Sequence, residues 1–352
     1  MAYLNFENIG ISAVSACVPS KVVYNRDLLE LIGPENLEKV INSTGVEEKR
    51  YAEDDVCASD LCLKAAEKLI VDNRIDKSEI DALIFVSQTS DYHQPATAPL
   101  LQHKLGLSTS TLSFDINLAC SGYVYGLSVA FSLARDVNVR KVLLLVGETM
   151  SKTISQRDKV SAPLFGDAGT ATLIEKGDFG KSLFSLNSDG AGSDVIKMPY
   201  GGYRNPSSID GFKDQIDADG NIRNGEQFFM DGMAVFNFGM KVEPADIKKL
   251  VKQAGIDIQD IDLIIYHQAN KSMTDFFTRW LKFSYEKTPY CIKKYGNTSS
   301  ASIPLTISSE MAEEDKYPER KRVILSGFGA GLSWASALLD LSLCKVSKIV
   351  EY

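Results

Sequence analysis

Apolar residues fall along this chain in two alternating patterns. In LCLKAAEKLIVDN (61–73) and ADIKKLVKQAG (245–255) they recur at helical spacing. In RKVLLLVG (140–147) and KRVILSGF (321–328) they run almost unbroken, as in a strand buried on both faces. Strands alternating with helices predict an α/β fold with a mixed, mainly parallel sheet covered by helices. FDINLACSGYVYGLSVA (114–130) changes character midway. Apolar and polar residues alternate up to Cys120, and small apolar residues then follow at helical spacing. A thiol therefore stands at a strand-to-helix joint.

The same patterns recur at a fixed offset. SEIDALIFVSQ (78–88) resembles QDIDLIIYHQA (259–269), with Asp81 matching Asp262; RKVLLLVG resembles KRVILSGF, with Val142 matching Val323. Both pairs are 181 residues apart, which predicts a duplicated α/β unit with halves at about 1–178 and 179–352. The offset carries Cys120 onto Ala301, where GNTSSASIPLTISSEM (296–311) again opens a helix from small residues. A helix N-terminus carries partial positive charge, so the Cys120 thiol is expected to have a lowered pKa.

Composition narrows the function classes. With 44% hydrophobic and 24% charged residues the 352-residue chain reads as an ordinary globular protein. A net charge of −8 argues against nucleic acid or an anionic membrane as partner. The N-terminus lacks the pattern of a signal peptide, and no segment has the apolar length of a membrane span. The six cysteines are scattered without metal-ligand spacing, so no metal is expected and a reducing cytoplasm is the expected location. The one shift in composition, 185–226, is rich in Gly, Asp, Asn and Ser and reads as a long excursion of loops.

A nucleophilic cysteine needs a polar partner and donors for a developing oxyanion. His267 ends the apolar run IDLIIYHQAN (261–270), and Asn297 lies in YGNTSSAS just before the helix that mirrors the Cys120 helix. SGFGAGLSW (326–334) follows another buried strand, and its glycines allow close backbone approach. Each of these also has a structural reading: a packed thiol, a strand-end histidine, a Gly-Asn turn. Cys17, Cys57, Cys62, Cys291 and Cys344 are read as core. His93 and His103 have no comparable setting, although the loop 90–99 is a candidate pocket wall.

These stretches resemble the thiolase superfamily, specifically the β-ketoacyl-(acyl carrier protein) synthase III type of condensing enzyme. The matching motifs are ACSGY around Cys120, HQAN from His267, GNTSSASIP around Asn297 and GFGAGLSW, together with STGVEEKR (43–50), FGDAGTATLIE (165–175) and MDGMAVFNF (230–238). The resemblance implies a five-layer αβαβα fold, a homodimer, and a Cys120–His267–Asn297 site at the base of a tunnel for a phosphopantetheine arm. It implies that Cys120 takes an acyl group from a thioester, and that His267 and Asn297 assist loss of carbon dioxide from a malonyl thioester. The resulting carbanion then attacks acyl-Cys120, with the N–H groups of Cys120 and Ala330 as oxyanion hole. No tightly bound cofactor is implied; substrates arrive as coenzyme A or carrier-protein thioesters, acyl-CoA or acyl-carrier protein and malonyl-carrier protein.

Some positions depart from the family pattern. Lys39 and Ser43 stand where the housekeeping initiators carry a tryptophan and an arginine for coenzyme A, and Lys271–Ser272 replaces an arginine that meets the carrier protein. Segment 271–294 nonetheless holds six basic residues against two acidic ones, so Lys271, Arg279 and Lys282 are the candidate docking residues for an acidic carrier protein. Three other readings stay open: a non-condensing acyltransferase of the same fold passing the acyl group to a hydroxyl or amine, a papain-like cysteine protease, and a silent binding subunit. The protease lacks its local cysteine signature, and the retained His267–Asn297 pair favours condensation.

Overall fold

The uninterrupted apolar runs become the inner strands of one large sheet. The structure, a computed structural model, describes residues 2–313 and 316–352. The sheet contains β1 (Ala2–Val18), β2 (Ile80–Val86), β3 (Leu112–Ile116), β4 (Lys141–Thr149), β5 (Asp167–Ser188), β6 (Leu263–Tyr266), β7 (Val323–Gly329) and β8 (Ser333–Leu339), with β9 (Lys345–Val346) and β10 (Val350–Glu351) along β1. Seven of these strands lie in the order β6-β7-β8-β5-β4-β2-β3. β2 pairs parallel with β3 and β4, and β6 parallel with β7; β5 pairs antiparallel with β4, β8 and β1.

The repeat is visible in single contacts. Asp81 accepts the Arg140 N–H at 2.7 Å, fixing the start of β4 against β2. Its counterpart Asp262 accepts the Lys321 N–H at 3.0 Å and does the same for β7 against β6. The division at 178/179 falls inside β5, a 22-residue strand that serves the sheets of both halves.

Side-chain alternation along the strands sets five layers. Ile84, Val86, Leu144 and Val146 face inward, as do Leu263, Ile265, Val323 and Leu325 of the other half. Between them lie Val124 and Leu127 of α4 (Gly122–Ala134) and Ile303 and Ile307 of α7 (Ser302–Met311). The alternate residues Leu83, Phe85, Leu143 and Leu145 face outward onto α2 (Ala58–Asn73) and α3 (Thr97–Lys104). Ile264, Tyr266, Ile324 and Phe328 face α5 (Gly232–Ala254) and α6 (Lys271–Trp280). Helix, sheet, helix pair, sheet and helix thus form the expected thiolase-like five-layer αβαβα fold.

Helix α4 is apolar nearly all round because sheets cover it on both sides. It approaches β2 so closely that a Cβ on Gly126 would sit 2.9 Å from Val86. The last helix that matters for the site, α1 (Pro34–Thr44), packs against α6.

The excursion 185–226 is ordered by two short ladders, Ile196–Lys197 with Phe229–Met230 and Gln215–Ile216 with Ile222–Arg223. It is strapped to 155–160. Arg157 pairs with Asp214 at 2.7 Å, Arg223 with Asp158 at 3.2 Å, and Ser155 Oγ donates to the Ile222 carbonyl at 2.6 Å.

Candidate active site

The strand ends of both halves meet at one cavity of about 280 Å³. Gln88 follows β2, Cys120 lies between β3 and α4, His267 follows β6, and Gly329–Ala330 close β7. Asn297 and Ser299 come from the turn that opens α7, so Cys120, His267 and Asn297 line the same cavity. The rest of the wall is largely apolar: Met150, Leu164, Phe165, Phe228, Met230 and Phe236 among others. Residues 90–99 do not contribute to it, and His93 and His103 are exposed elsewhere.

Cys120 is half-buried, with Sγ 3.5 Å from Ser299 Oγ. The β7 backbone passes so close that a Cβ on Gly329 would lie 2.8 Å from Cys120 Cβ and 3.1 Å from Sγ. The expected lowering of the thiol pKa does not occur. Burial pushes it up to about 12, with the Ser299 hydroxyl opposing the rise and the Glu148 carboxyl adding to it. Desolvation of a thiolate at the floor of an apolar cavity outweighs the one-turn reach of a helix dipole.

His267 is buried and its pKa is lowered to about 3 by that burial, so the ring is neutral. Nδ1 lies 2.7 Å from Ser302 Oγ, and the Ser299 backbone also bonds the ring. Ser302 Oγ already accepts the Gln268 N–H at 3.3 Å, so its own hydrogen goes to Nδ1 and the ring hydrogen of the neutral imidazole sits on Nε2. The backbone of His267 is tied to β7 by its N–H to the Ser326 carbonyl, 2.7 Å.

Asn297 is held on both sides by chain 164–166: its N–H donates to the Leu164 carbonyl at 2.8 Å, and its carbonyl accepts from Gly166 at 3.1 Å. Its side-chain Oδ1 accepts the Ser299 N–H at 2.8 Å, and Nδ2 donates to the Ala269 carbonyl at 3.3 Å. Ser299 has φ +51°, a left-handed conformation that costs a non-glycine residue roughly 1–3 kcal/mol. The Asn297 cap offsets that cost. The turn is further anchored by Glu148, which is buried and accepts from Ser300 Oγ at 2.7 Å, Thr89 Oγ1 at 2.9 Å and the Gln88 N–H at 3.2 Å. Burial raises the Glu148 pKa to about 7 despite these donors.

The Cys120 and Ala330 segments are tied together. Ser333 Oγ donates to the Ala330 carbonyl at 2.9 Å, which leaves Ser121 Oγ to donate to Ser333 Oγ at 2.7 Å.

Of the docking candidates, Lys271 lies at the cavity rim, ion-paired with Asp275 and over the Tyr290 ring at 6.0 Å. Arg279 and Lys282 are exposed at the far end of α6, roughly 12 Å along the helix. Lys248 adds to their face, stacked over Trp280 at 5.7 Å. Cys17, Cys62, Cys291 and Cys344 are buried and Cys57 is half-buried. Among the described residues there is no metal-ligating cluster of three or more His, Cys, Asp or Glu side chains, and no helix long and apolar enough to cross a membrane.

Sequence reasoning missed Gln88, Glu148 and Ser302. The segment following Gly147 reads as polar, yet it buries Glu148, Thr149, Met150 and Ile154. A carboxylate directly after the apolar run of β4 was the available signal.

Fold and site together define a condensing-enzyme type of thiolase-like protein, with cysteine, histidine and asparagine at the meeting point of two α/β halves. Two family models match, described as 3-oxoacyl-[acyl-carrier-protein (ACP)] synthase III over residues 114–196 and its C-terminal part over 251–341. A β-ketoacyl-[acyl-carrier-protein] synthase III of Natranaerobius thermophilus is 35% identical, covering 94% of this chain and 99% of that one. A crystal structure of a 3-oxoacyl-(acyl-carrier protein) synthase from Burkholderia xenovorans LB400 superimposes with a TM-score of 0.92 at 37% identity, covering 100% of this chain and 99% of that one. The priming β-ketosynthase of the R1128 polyketide pathway is 26% identical, with a TM-score of 0.79 and coverage of 95% and 96%. The chain belongs to the 3-oxoacyl-(acyl carrier protein) synthase III family.

Proposed function

We propose that this protein is an acyltransferase that condenses an acyl group with a malonyl thioester, through acyl-Cys120. The observation that carries the reading is the convergence of Cys120, neutral His267 and Asn297 on one largely apolar cavity. In the first half-reaction the Cys120 sulfur attacks the thioester carbonyl, the carbonyl oxygen gains charge, and collapse expels the donor thiol, which takes the proton. The Cys120 and Ala330 N–H groups receive that charge in this reading, supported by the Ser121–Ser333 tie between their segments. In the second, His267 Nε2–H, shared with the Ser299 backbone, and the second hydrogen of the Asn297 amide bond the malonyl thioester carbonyl. The carbon–carboxylate bond breaks, carbon dioxide leaves, and the electron pair becomes an enolate held by those two donors. The enolate carbon attacks the acyl carbonyl and releases Cys120. A neutral imidazole with a fixed hydrogen suits this, since fixed donors in a water-poor site stabilise an enolate oxygen best.

Two of the relatives are named as acyl-carrier-protein synthases, and the carrier protein is proposed as partner here, with acyl groups delivered as coenzyme A or phosphopantetheine thioesters and no tightly bound cofactor. A homodimer is proposed too; the edge position of β3, which among the described residues pairs only with β2, supports it. Condensation is favoured over transfer to a hydroxyl or amine because His267 and Asn297 serve decarboxylation.

Intact-protein mass spectrometry with acyl-CoA and acyl-carrier thioesters tests the first half-reaction: one acyl mass on the wild type, none on Cys120→Ser. Malonyl-carrier protein should then clear the adduct, and in His267→Ala or Asn297→Ala it should persist about 10²–10³ times longer. Absence of an adduct from every donor would overturn the reading.

A further inference from the structure

Burial raises the Cys120 thiol, and neutral His267 bonds Ser299 and Ser302. Of the groups described so far only the Ser299 hydroxyl can favour the thiolate over the thiol, and only with something to turn its hydrogen toward the sulfur. One chain of hydrogen bonds in the same cavity supplies it. Gln88 Nε2 lies 2.9 Å from Ser299 Oγ and 3.2 Å from the Met150 sulfur. A thioether accepts and never donates, so the amide nitrogen, with its two hydrogens, is the end of Gln88 that faces both atoms. Ser299 Oγ therefore receives a hydrogen from Gln88. Its own single hydrogen is free to point at Cys120 Sγ, 3.5 Å away. Without Gln88, the Ser299 hydroxyl has an equal option of accepting from the thiol S–H, which would favour the protonated form.

Both ends of this relay are fixed by Glu148, which takes no other part in the mechanism. Its carboxyl accepts the Gln88 N–H at 3.2 Å and the hydroxyl of Ser300, the residue after Ser299, at 2.7 Å. The Ser299 backbone is locked separately by Asn297 Oδ1.

We propose that Gln88 is a positioning residue that orients the Ser299 hydroxyl as a hydrogen-bond donor to the Cys120 sulfur, with Glu148 anchoring both, so that the thiolate required for acyl transfer is stabilised. The inference rests on Cys120 being the nucleophile.

The test reads the thiol itself. The rate of Cys120 alkylation by iodoacetamide, followed by peptide mass mapping of the intact folded protein, is measured from pH 6 to 10 for wild type, Gln88→Met and Gln88→Glu. Gln88→Met keeps the volume and removes both donors, and should move the alkylation profile about one unit upward, a roughly tenfold loss at pH 7. Gln88→Glu donates only while protonated, so its rate relative to wild type should fall as pH rises, a dependence that a packing defect would not produce. Ser299→Ala, measured alongside, should match Gln88→Met and stands in for it if that variant melts early. A Gln88→Met profile superimposable on wild type at unchanged melting temperature overturns the proposal, as do parallel profiles for the Met and Glu variants. If the profiles shift as expected while no thioester acylates Cys120, the relay stands and the condensing reading fails.

Discussion

The hydroxyl of Ser272 donates to the backbone carbonyl of Ser43 at 2.9 Å, closing the start of α6 onto the end of α1 at the rim of the cavity. These are two of the positions where the sequence departs from its family. Both arginines that the resemblance leads one to expect at this rim are serines, and one serine bonds the other residue's backbone.

At Ser43 the rim therefore lacks the guanidinium that the resemblance leads one to expect against the coenzyme A nucleotide. A single arginine returned there should favour coenzyme A donors. Ser43→Arg leaves the bonded backbone carbonyl in place, and an exposed ion pair of about 0.4–1 kcal/mol would lower KM for acyl-CoA two- to fivefold. KM for the acyl-carrier thioester should not change. Steady-state kinetics with both donors decides it; equal effects on both would mean that Ser43 does not face the nucleotide.

Close approach of β7 to the nucleophile makes a second prediction. A methyl group on Gly329 would meet both Cβ and Sγ of Cys120. Gly329→Ala must displace the thiol by several tenths of an ångström or more, and misplacement on that scale can cost about 10² in rate. Single-turnover acylation should fall accordingly while circular dichroism stays native. Acylation within threefold of wild type would show that the thiol relocates without cost.

Stability should fall with rising pH. Glu243 on α5 is buried beside Ser326 and Asp246 with no donor in hydrogen-bonding geometry to either carboxyl oxygen, and burial raises its pKa to about 8. The folded state holds this proton when the unfolded chain, with an ordinary glutamate pKa of roughly 4.3, has already released it. Its contribution is complete below the unfolded value and is lost as pH rises through the folded one, by at most about 1.4 kcal/mol per pH unit. Glu148 and Asp167, raised to about 7 and about 6 by burial, act in the same direction over lower windows. Glu243→Gln should flatten the decline in melting temperature between pH 6 and 8. An identical slope in wild type and variant would remove Glu243 as a cause.

Charge reversal at the far end of α6 separates the two classes of donor. Arg279→Glu with Lys282→Glu should raise KM for carrier-protein substrates several-fold, more at low ionic strength, and leave acyl-CoA kinetics alone. An effect on acyl-CoA of the same size would assign these residues to the tunnel rather than to the carrier.

The alternation of strands and helices and the strand-end and helix-start settings of Cys120, His267 and Asn297 were legible because they depend on local signals, while the five layers and the joining of the three residues in one site were expected from the family motifs. Buried strands are unbroken apolar runs, and the 181-residue offset relates Asp81 to Asp262 in role as well as in position. The state of the thiol was not legible. A helix start is visible in sequence, whereas the desolvation that raises Cys120 depends on the β7 backbone at Gly329, which lies against it from about 200 residues further along the chain. Gln88 and Glu148 were missed for a similar reason. Gln88 follows β2 and Glu148 lies near the end of β4, each one polar residue among several, and only the sheet order, with β2 beside β4, brings them together.

The excursion strapped to 155–160 and the strand ends of the sheet make unlike contributions to the same cavity. Strand ends carry Cys120, His267 and the Gly329 segment, while Ile196, and Phe228 and Met230 just beyond the excursion, supply side wall. These wall residues pack with Met150, Leu164 and Phe165 in a cluster of their own, separate from the clusters that join the five layers. A lineage with this architecture can therefore drift from one acyl group to another by editing its periphery, with the reaction chemistry inherited intact.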